Sequence, residues 1–110
     1  MKFAVEEREG YTEVAAQGRL NMVGAPLLKA AVSEAIESGH KLLVLNLGET
    51  EFMDSSGLGA LVGCLKAARQ AGGDLRIANV GEQVQMVLKL TSIDRILTPY
   101  TAVEDAYRDA

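Results

Sequence analysis

The sequence predicts an α/β domain with a mixed sheet of four or five strands and about four helices packed mainly on one face. Three observations lead to this fold class: two strand-like segments come first, a nearly continuous apolar run follows the first helical segment, and helical periods then alternate with short strands. The 110 residues, 48% of them hydrophobic and 24% charged, fit one globular domain over 1–110.

The first half of the chain has the pattern of a hairpin, a helix and a covered strand. Residues 3–8 and 11–17 lie on either side of a Glu-Gly pair and form the expected hairpin. Apolar residues recur at helical spacing over 23–38. Residues 42–47, with the sequence LLVLNL, are apolar almost throughout, which indicates a central strand covered on at least one face.

The second half alternates helix and strand. An apolar stripe at helical period starts at Leu58 and is ended by two glycines, and a short strand over 74–79 follows. A helix is expected over 81–91, and a last short helix over 103–107. The apolar residues expected to reach the core between these points are Val84, Val87, Leu88, Leu90, Ile93, Ile96 and Leu97.

Composition excludes several classes of function. The net charge of −4 and the pI near 4.9 have the wrong sign for gripping a phosphate backbone, so nucleic acid is not expected as a partner. No apolar run approaches the roughly 18 residues of a membrane span, and the acidic start lacks a signal-peptide core, so we expect a cytoplasmic protein without direct membrane insertion. The lone Cys64 and lone His40 form neither a disulfide nor a metal set, and no cofactor is indicated.

The stretch FMDSSGLG, at 52–59, places an acid, two hydroxyls and two glycines directly after the apolar strand. Asp54 or Ser55 is expected to cap the following helix by accepting hydrogen bonds from its first N–H groups. A cap needs one such side chain, whereas Gly57 and Gly59 add residues that disfavour a helix and keep the surface open to a partner. The free N–H groups also suit a phosphoryl group on Ser55.

A serine at a strand-to-helix turn is also found in hydrolases. Around Ser55, however, Met53 stands where the first glycine of the G-x-S-x-G turn is needed, and Asp54 stands there around Ser56. The only candidate base, His40, precedes the strand, so about 20 Å separates it from the motif over six strand residues. The sequence therefore gives no catalytic residue. A hydrolase ranks third among the possible functions, behind the two binding functions described below.

Together these segments resemble a STAS domain, the fold of bacterial anti-sigma factor antagonists, nearly from end to end. The resemblance is carried by FMDSSGLG preceded by LLVLNL, by GRLNMVGAPLL near the first helix and by VLKLTSIDRIL toward the C-terminus. It implies a STAS-type fold and a phosphoacceptor at Ser55. It further implies a kinase-type anti-sigma factor that adds the phosphate, a PP2C-type phosphatase that removes it, and an unphosphorylated form that binds the kinase and releases the regulator it holds.

Two positions depart from the family pattern. An acidic residue often follows the second strand where this chain has Asn21, and if that acid arranges the encounter with the kinase, the change concerns phosphorylation and not the fold. Thr91 and Ser92 stand where a glycine often ends a helix. The alternative within the family is a non-phosphorylated subunit of a signalling scaffold or of a membrane transport system.

One face of the helix after the motif consists almost entirely of small residues, including Gly63 and Ala67. Glycine inside a helix costs about 0.5–1 kcal/mol relative to alanine, so this face is explained either by close packing against another element or by a docked partner. With the family resemblance, the partner is favoured. The residues expected to bind the partner are Asn21, Asp54, Ser55, Ser56, Gly57, Ala60, Gly63, Cys64 and Ala67.

Overall fold

The computed structural model of the chain describes residues 1–108. Strands and helices follow one another in the order β1 Lys2–Arg8, β2 Tyr11–Leu20, α1 Gly24–Glu37, β3 Leu42–Met53, α2 Ser55–Gln70, β4 Asp74–Ala78, α3 Glu82–Leu90 and β5 Pro99–Tyr100. Two short 3₁₀ turns, at Ile93–Arg95 and Val103–Asp105, flank β5. The last short helix expected from the sequence is the second of these turns, so the described residues form three α-helices instead of about four.

The five strands form one mixed sheet in the order β1-β2-β3-β4-β5. β1 and β2 pair antiparallel as the expected hairpin, and the three remaining pairs are parallel. Parallel neighbours require crossover connections, and α1, α2 and α3 supply them between successive strands. The predicted fold class, a mixed sheet with helices mainly on one face, is confirmed.

The core lies between the sheet and the three helices. Leu43 and Leu45 of β3 point toward this side, where Leu28, Leu61 and Leu88 contribute one fully buried side chain from each helix. Strand side chains alternate between the two faces, so Val44 points to the opposite face.

The part of the opposite face formed by β3 and β4 is covered by the C-terminal segment. Val103, Ala106 and Tyr107 pack over Val44 and Ala78 in a second, smaller cluster of buried residues. The Tyr107 hydroxyl donates a hydrogen bond of 2.9 Å to the Leu43 carbonyl oxygen. This buried contact fastens the segment to the central strand.

Three sequence expectations need correction. β3 extends to Met53, beyond the predicted end at 47, because its second half continues to pair with β2 as far as Leu20. Leu90 and Ile96, which were expected in the core, are 79% and 52% exposed. Leu90 is the last residue of α3, and the 3₁₀ turn at Ile93–Arg95 changes the helical period before Ile96, so neither side chain continues the buried stripe.

Candidate functional site

The site begins where β3 ends and α2 starts. Asp54 has extended backbone angles and caps α2, because its Oδ1 atom accepts a hydrogen bond of 3.0 Å from the Gly57 N–H. The Asp54 carbonyl oxygen accepts the first intrahelical bond, from Leu58 N–H, at 2.9 Å. Of the two cap candidates, Asp54 therefore has this role. Ser55 is the first residue of α2 and is exposed, whereas Ser56 is half-buried.

Gly57 is buried and faces the interior of the protein. A Cβ atom added there would overlap the Leu20 carbonyl oxygen at the end of β2. The same Leu20 carbonyl oxygen accepts a hydrogen bond of 3.3 Å from the Asp54 N–H. The sequence analysis expected Gly57 on an open partner surface, whereas in the structure it is buried and its missing side chain lets α2 approach β2.

Gly59 differs from Gly57 in its surroundings. It is exposed, and a Cβ atom there would meet nothing within 4 Å. The two glycines of the motif therefore have separate explanations. Close approach requires glycine at Gly57, while Gly59 leaves an open surface beside Ser55.

Asn21 performs the same local function for α1 that Asp54 performs for α2. Its Oδ1 atom accepts hydrogen bonds from Val23 N–H at 3.1 Å and from Gly24 N–H at 3.0 Å. Its carbonyl oxygen accepts a further bond of 2.8 Å from Ala25 N–H. An aspartate in this position could accept the same two side-chain bonds, so Asn21 gives the same start to α1 without the negative charge of an aspartate.

The loop between β2 and α1 also exposes two apolar side chains. Met22 and Val23 are each 74% exposed, and the bond between Leu20 and Asp54 holds this loop beside the start of α2. Exposed apolar neighbours next to a candidate site are typical of a docking surface. This pair was not among the residues predicted from the sequence to bind a partner. Its only signal was two adjacent apolar residues between Asn21 and Gly24, at the start of the predicted helix.

A second missed residue is Gln83, in the first turn of α3. Its Oε1 atom accepts a hydrogen bond of 2.8 Å from Met53 N–H, and its Nε2 atom donates one of 2.9 Å to Met53 O. The side-chain amide thus occupies the place of a neighbouring strand and holds the last residue of β3, directly before Asp54. Nothing in the sequence around Gln83 signals this contact, because it joins residues 30 positions apart.

Comparison with known proteins identifies the family. The STAS domain family matches residues 2–106, which is nearly the whole chain. The chain belongs to the STAS domain family. The anti-sigma-B factor antagonist of Bacillus subtilis is 29% identical over 93 residues, covering 84% of each chain. The anti-sigma F factor antagonist of Paenibacillus polymyxa is 29% identical over 101 residues, covering 91% of this chain and 86% of its own.

Solved structures agree with this assignment. The crystal structure of an anti-sigma factor antagonist from Mycobacterium paratuberculosis superimposes with a TM-score of 0.84 at 26% identity. The match covers 96% of this chain and 90% of that one. This STAS domain therefore shares its fold with antagonists over almost the full length of both proteins.

The small-residue face of the STAS domain's α2 is in large part an internal contact with α1. Ala60 and Cys64, which were expected on the partner surface, are only 1% and 3% exposed and lie in the main core. Burial raises the pKa of the Cys64 thiol to about 11, and the nearby Lys29 ammonium opposes the rise. Gly63 and Ala67 are half-buried beside Lys29, at the margin of this contact.

The remaining predicted residues do come together. Asn21, Asp54, Ser55 and Ser56 lie where β2 and β3 end side by side. His40 lies at the other end of these strands, where its Nδ1 atom is 3.0 Å from the Thr12 hydroxyl oxygen. It has no access to Ser55 as a base. Within residues 1–108, no cluster of three His, Cys, Asp or Glu side chains could hold a metal ion.

The junction between β3 and α2 can bind an anion. Ser55 stands at the N-terminus of a helix of 16 residues, where unpaired N–H groups and the positive end of the helix dipole favour negative charge. A phosphate on the exposed Ser55 hydroxyl would lie at this end. As to membranes, none of the helices in the described part of the chain is long and apolar enough to span a bilayer.

Proposed function

We propose that this STAS domain is a cytoplasmic anti-sigma factor antagonist, switched off by phosphorylation of Ser55. In its unphosphorylated form it binds a kinase-type anti-sigma factor and so releases the regulator that the kinase holds. A PP2C-type phosphatase restores the binding form. The domain is a binding module and the substrate of an enzyme, not an enzyme itself. The names of its relatives, the antagonists of Bacillus subtilis and Paenibacillus polymyxa, support the class of partner.

The observation that carries this proposal is the position of Ser55. It is exposed, it follows the capping residue Asp54 directly, and it begins α2 at the end of the central strand. A kinase can reach such a hydroxyl without unfolding the chain. The helix N-terminus can then stabilise the phosphate that results.

The proposed docking surface surrounds this serine. It keeps Asn21, Asp54 and Ser56 from the sequence prediction and adds the exposed Met22 and Val23. Burying an apolar side chain contributes on the order of 1.5–3 kcal/mol, so two of them can supply much of the affinity for a partner. Gly63 and Ala67 are kept as half-buried residues that the edge of a partner could reach.

Phosphorylation would act on binding more than on folding. A phosphate adds about −1.5 to −2 charge to a chain whose net charge is already −4. A partner packed against Met22 and Gly59 would then meet hydrated oxygens, and burying these without matching donors costs several kcal/mol. The loss should therefore appear in affinity, while the helix remains formed.

The first experiment tests the modification. The tagged chain is captured from its own cells, the kinase that accompanies it is purified, and both are incubated with ATP. We expect one phosphate on the wild type, one on the matched control Ser56→Ala and none on Ser55→Ala. Equal labelling of Ser55→Ala, or a phosphate mapped to Ser56, would remove the assignment.

The second experiment tests the switch by titration calorimetry with the same kinase. We expect Ser55→Asp, an imperfect mimic of the phosphate, to weaken binding at least about tenfold, or roughly 1.4 kcal/mol, and authentic phosphoserine to weaken it further. Circular dichroism should show unchanged folding. If phosphorylation leaves the affinity unchanged or raises it, the domain is not an antagonist switched off by phosphate, and a role as a subunit of a scaffold or transport system takes its place.

A further inference from the structure

The two edges of the sheet are protected unequally. Within residues 1–108, β5 is an edge strand of two residues that starts with Pro99, and such short, proline-bearing edges resist pairing with another chain. β1 is an edge strand of seven residues, and it contains no proline. Its register with β2 is unbroken from Lys2 to Arg8. A long, regular edge of this kind is a template for a further strand.

The hairpin fixes which backbone groups of β1 face outward. The loop between Arg8 and Tyr11 has two residues, so these two form the hydrogen-bonded pair that closes the hairpin. Hydrogen-bonded and non-hydrogen-bonded pairs alternate along an antiparallel ladder. The N–H and C=O groups of Phe3, Val5 and Glu7 therefore point away from β2 and are free to pair.

An apolar surface accompanies this edge on the helix side. Val5 is 52% exposed and Leu27 of α1 is 44% exposed. Together with Phe3, Ala30 and Ala31 they line a groove between β1 and α1. The small alanines leave room for a second helix or strand to approach.

We propose that a second copy of this chain pairs with β1 in antiparallel orientation, about a two-fold axis at Ala4. In a two-fold antiparallel pair, outward-facing residues must lie opposite outward-facing residues, so the axis passes through a residue and not between two residues. The axis at Ala4 sets Phe3 opposite Val5 on the apolar side. It sets Lys2 opposite Glu6 on the other side, so the two copies form two pairs of opposite charge.

Charge selects this register over its neighbours. An axis at Val5 would place Lys2 opposite Arg8, and an axis at Glu6 would place two Glu6 carboxylates opposite each other. Like charges directly opposite are destabilising, whereas opposite charges stabilise a strand pair. An axis at Phe3 avoids repulsion but shortens the ladder and leaves Lys2 opposite Ala4. The register about Ala4 alone combines an apolar pair with complementary charges.

The resulting dimer has a continuous sheet of ten strands, with the two apolar grooves facing each other across the axis. β2 separates β1 from β3, so Ser55 lies outside the interface. The proposal therefore does not depend on the phosphorylation switch. Either can fail without the other.

The test is charge exchange, measured by sedimentation equilibrium of the full chain. We expect wild type to dimerise with concentration, and Lys2→Glu and Glu6→Lys each to weaken the dimer at least about tenfold. The double variant, with both exchanges in one chain, should recover the wild-type constant. Mixing the two single variants should form a heterodimer, because each then supplies the charge that the other needs.

Circular dichroism of each variant provides the control for folding, since Glu6 also contacts Arg8 in its own chain at 3.1 Å. A destabilised hairpin would weaken the double variant as well, whereas loss of pairing alone is rescued in it. If the wild type remains monomeric at protein concentrations up to about 1 mM, its dissociation constant is too high for a specific dimer and the proposal is overturned. Single variants that dimerise as wild type does would also overturn it, since the copies would then meet through another surface.

Discussion

The first turn of α2 and the side of α2 that faces α1 are both built from small residues, yet they do opposite things. At the start of α2, Ser55 and Gly59 are exposed, although Gly57 between them is buried. On the α1 side, Ala60 and Cys64 are buried and bring two helices together. Small side chains thus permit close packing on the α1 side and leave an open surface beside Ser55. Only the position of the neighbouring elements decides whether a small side chain is buried or exposed.

The largest effect is expected from a substitution in the first turn of α2. Gly57→Ala should reduce the free energy of unfolding by about 3 kcal/mol, because its Cβ would overlap the Leu20 carbonyl oxygen and the backbone must shift. The matched control is Gly59→Ala, which meets nothing within 4 Å and should raise stability by about 0.5–1 kcal/mol through helix propensity. Urea denaturation of the three proteins measures both. Equal changes in the two variants would contradict the assigned roles.

The next effect concerns Cys64 on the α1 side and depends on pH. Burial raises its pKa from an ordinary 9.0 to about 11, so above pH 9 the unfolded chain releases this proton more readily than the folded one. The free energy of unfolding should therefore fall by up to about 2 kcal/mol as pH rises from 9 to 11. Cys64→Ala should lack this loss. The difference between the two stability curves measures it, and parallel curves would show that the thiol is not held in a dry contact.

The same cysteine gives a simple test of access. At pH 8 the Cys64 thiol should react with an aromatic disulfide reagent far more slowly in the folded protein than in urea, because nucleophilic attack requires the thiolate. Rapid labelling without denaturant would mean that the α1–α2 contact opens readily. In that event the small-residue face would be available to a partner after all.

A smaller effect is expected from the hydrogen bonds between Gln83 and Met53, just before the first turn of α2. Gln83→Ala removes both hydrogen bonds to Met53 and should cost about 1–2 kcal/mol. Gln85→Ala, at an exposed position of the same helix, is the control and should change stability by less than about 0.5 kcal/mol. Hydrogen exchange of the Met53 amide should accelerate in the first variant and not in the second. Unchanged exchange would show that the amide is protected by something other than Gln83.

The smallest effect lies at the margin of the α1 contact. A Cβ atom at Gly63 would lie 3.6 Å from Lys29 Cε, which is ordinary van der Waals distance. Gly63→Ala should therefore gain about 0.5–1 kcal/mol from helix propensity without strain. Thermal denaturation measures the gain. A loss of stability would place Gly63 inside the close contact, together with Ala60 and Cys64.

Most of the fold could be predicted from the sequence because periodicity is local. The hairpin, the three helices and the central strand each have a repeat that survives without knowledge of their neighbours. The C-terminal half of β3 was missed, since residues 48–51 contain polar side chains and only their pairing with β2 makes them a strand. Ile96 was misplaced for a related reason, because a 3₁₀ turn of three residues changes the face that follows.

The candidate site was predictable in part. The strand-to-helix junction with Asp54 and Ser55 follows from cap chemistry, which is a property of neighbouring residues. The burial of Gly57 and the clamp by Gln83 are not, because both depend on backbone atoms far away in the sequence. The exposure of Met22 and Val23 depends on where the loop between β2 and α1 lies in the fold, so periodicity could not predict it.

The C-terminal segment, residues 103–107, packs on the sheet face opposite the helices, and this has a consequence for biosynthesis. Each strand lies next to the one that precedes it in the chain, so the sheet can grow strand by strand as the polypeptide emerges from the ribosome. Within the described residues, however, Val44 and Ala78 are buried by Val103, Ala106 and Tyr107, while Tyr11, Leu42 and Tyr100 pack around them. A nascent chain that has placed all five strands therefore still shows an apolar patch. Its burial is complete once Tyr107 arrives and its hydroxyl reaches the central strand.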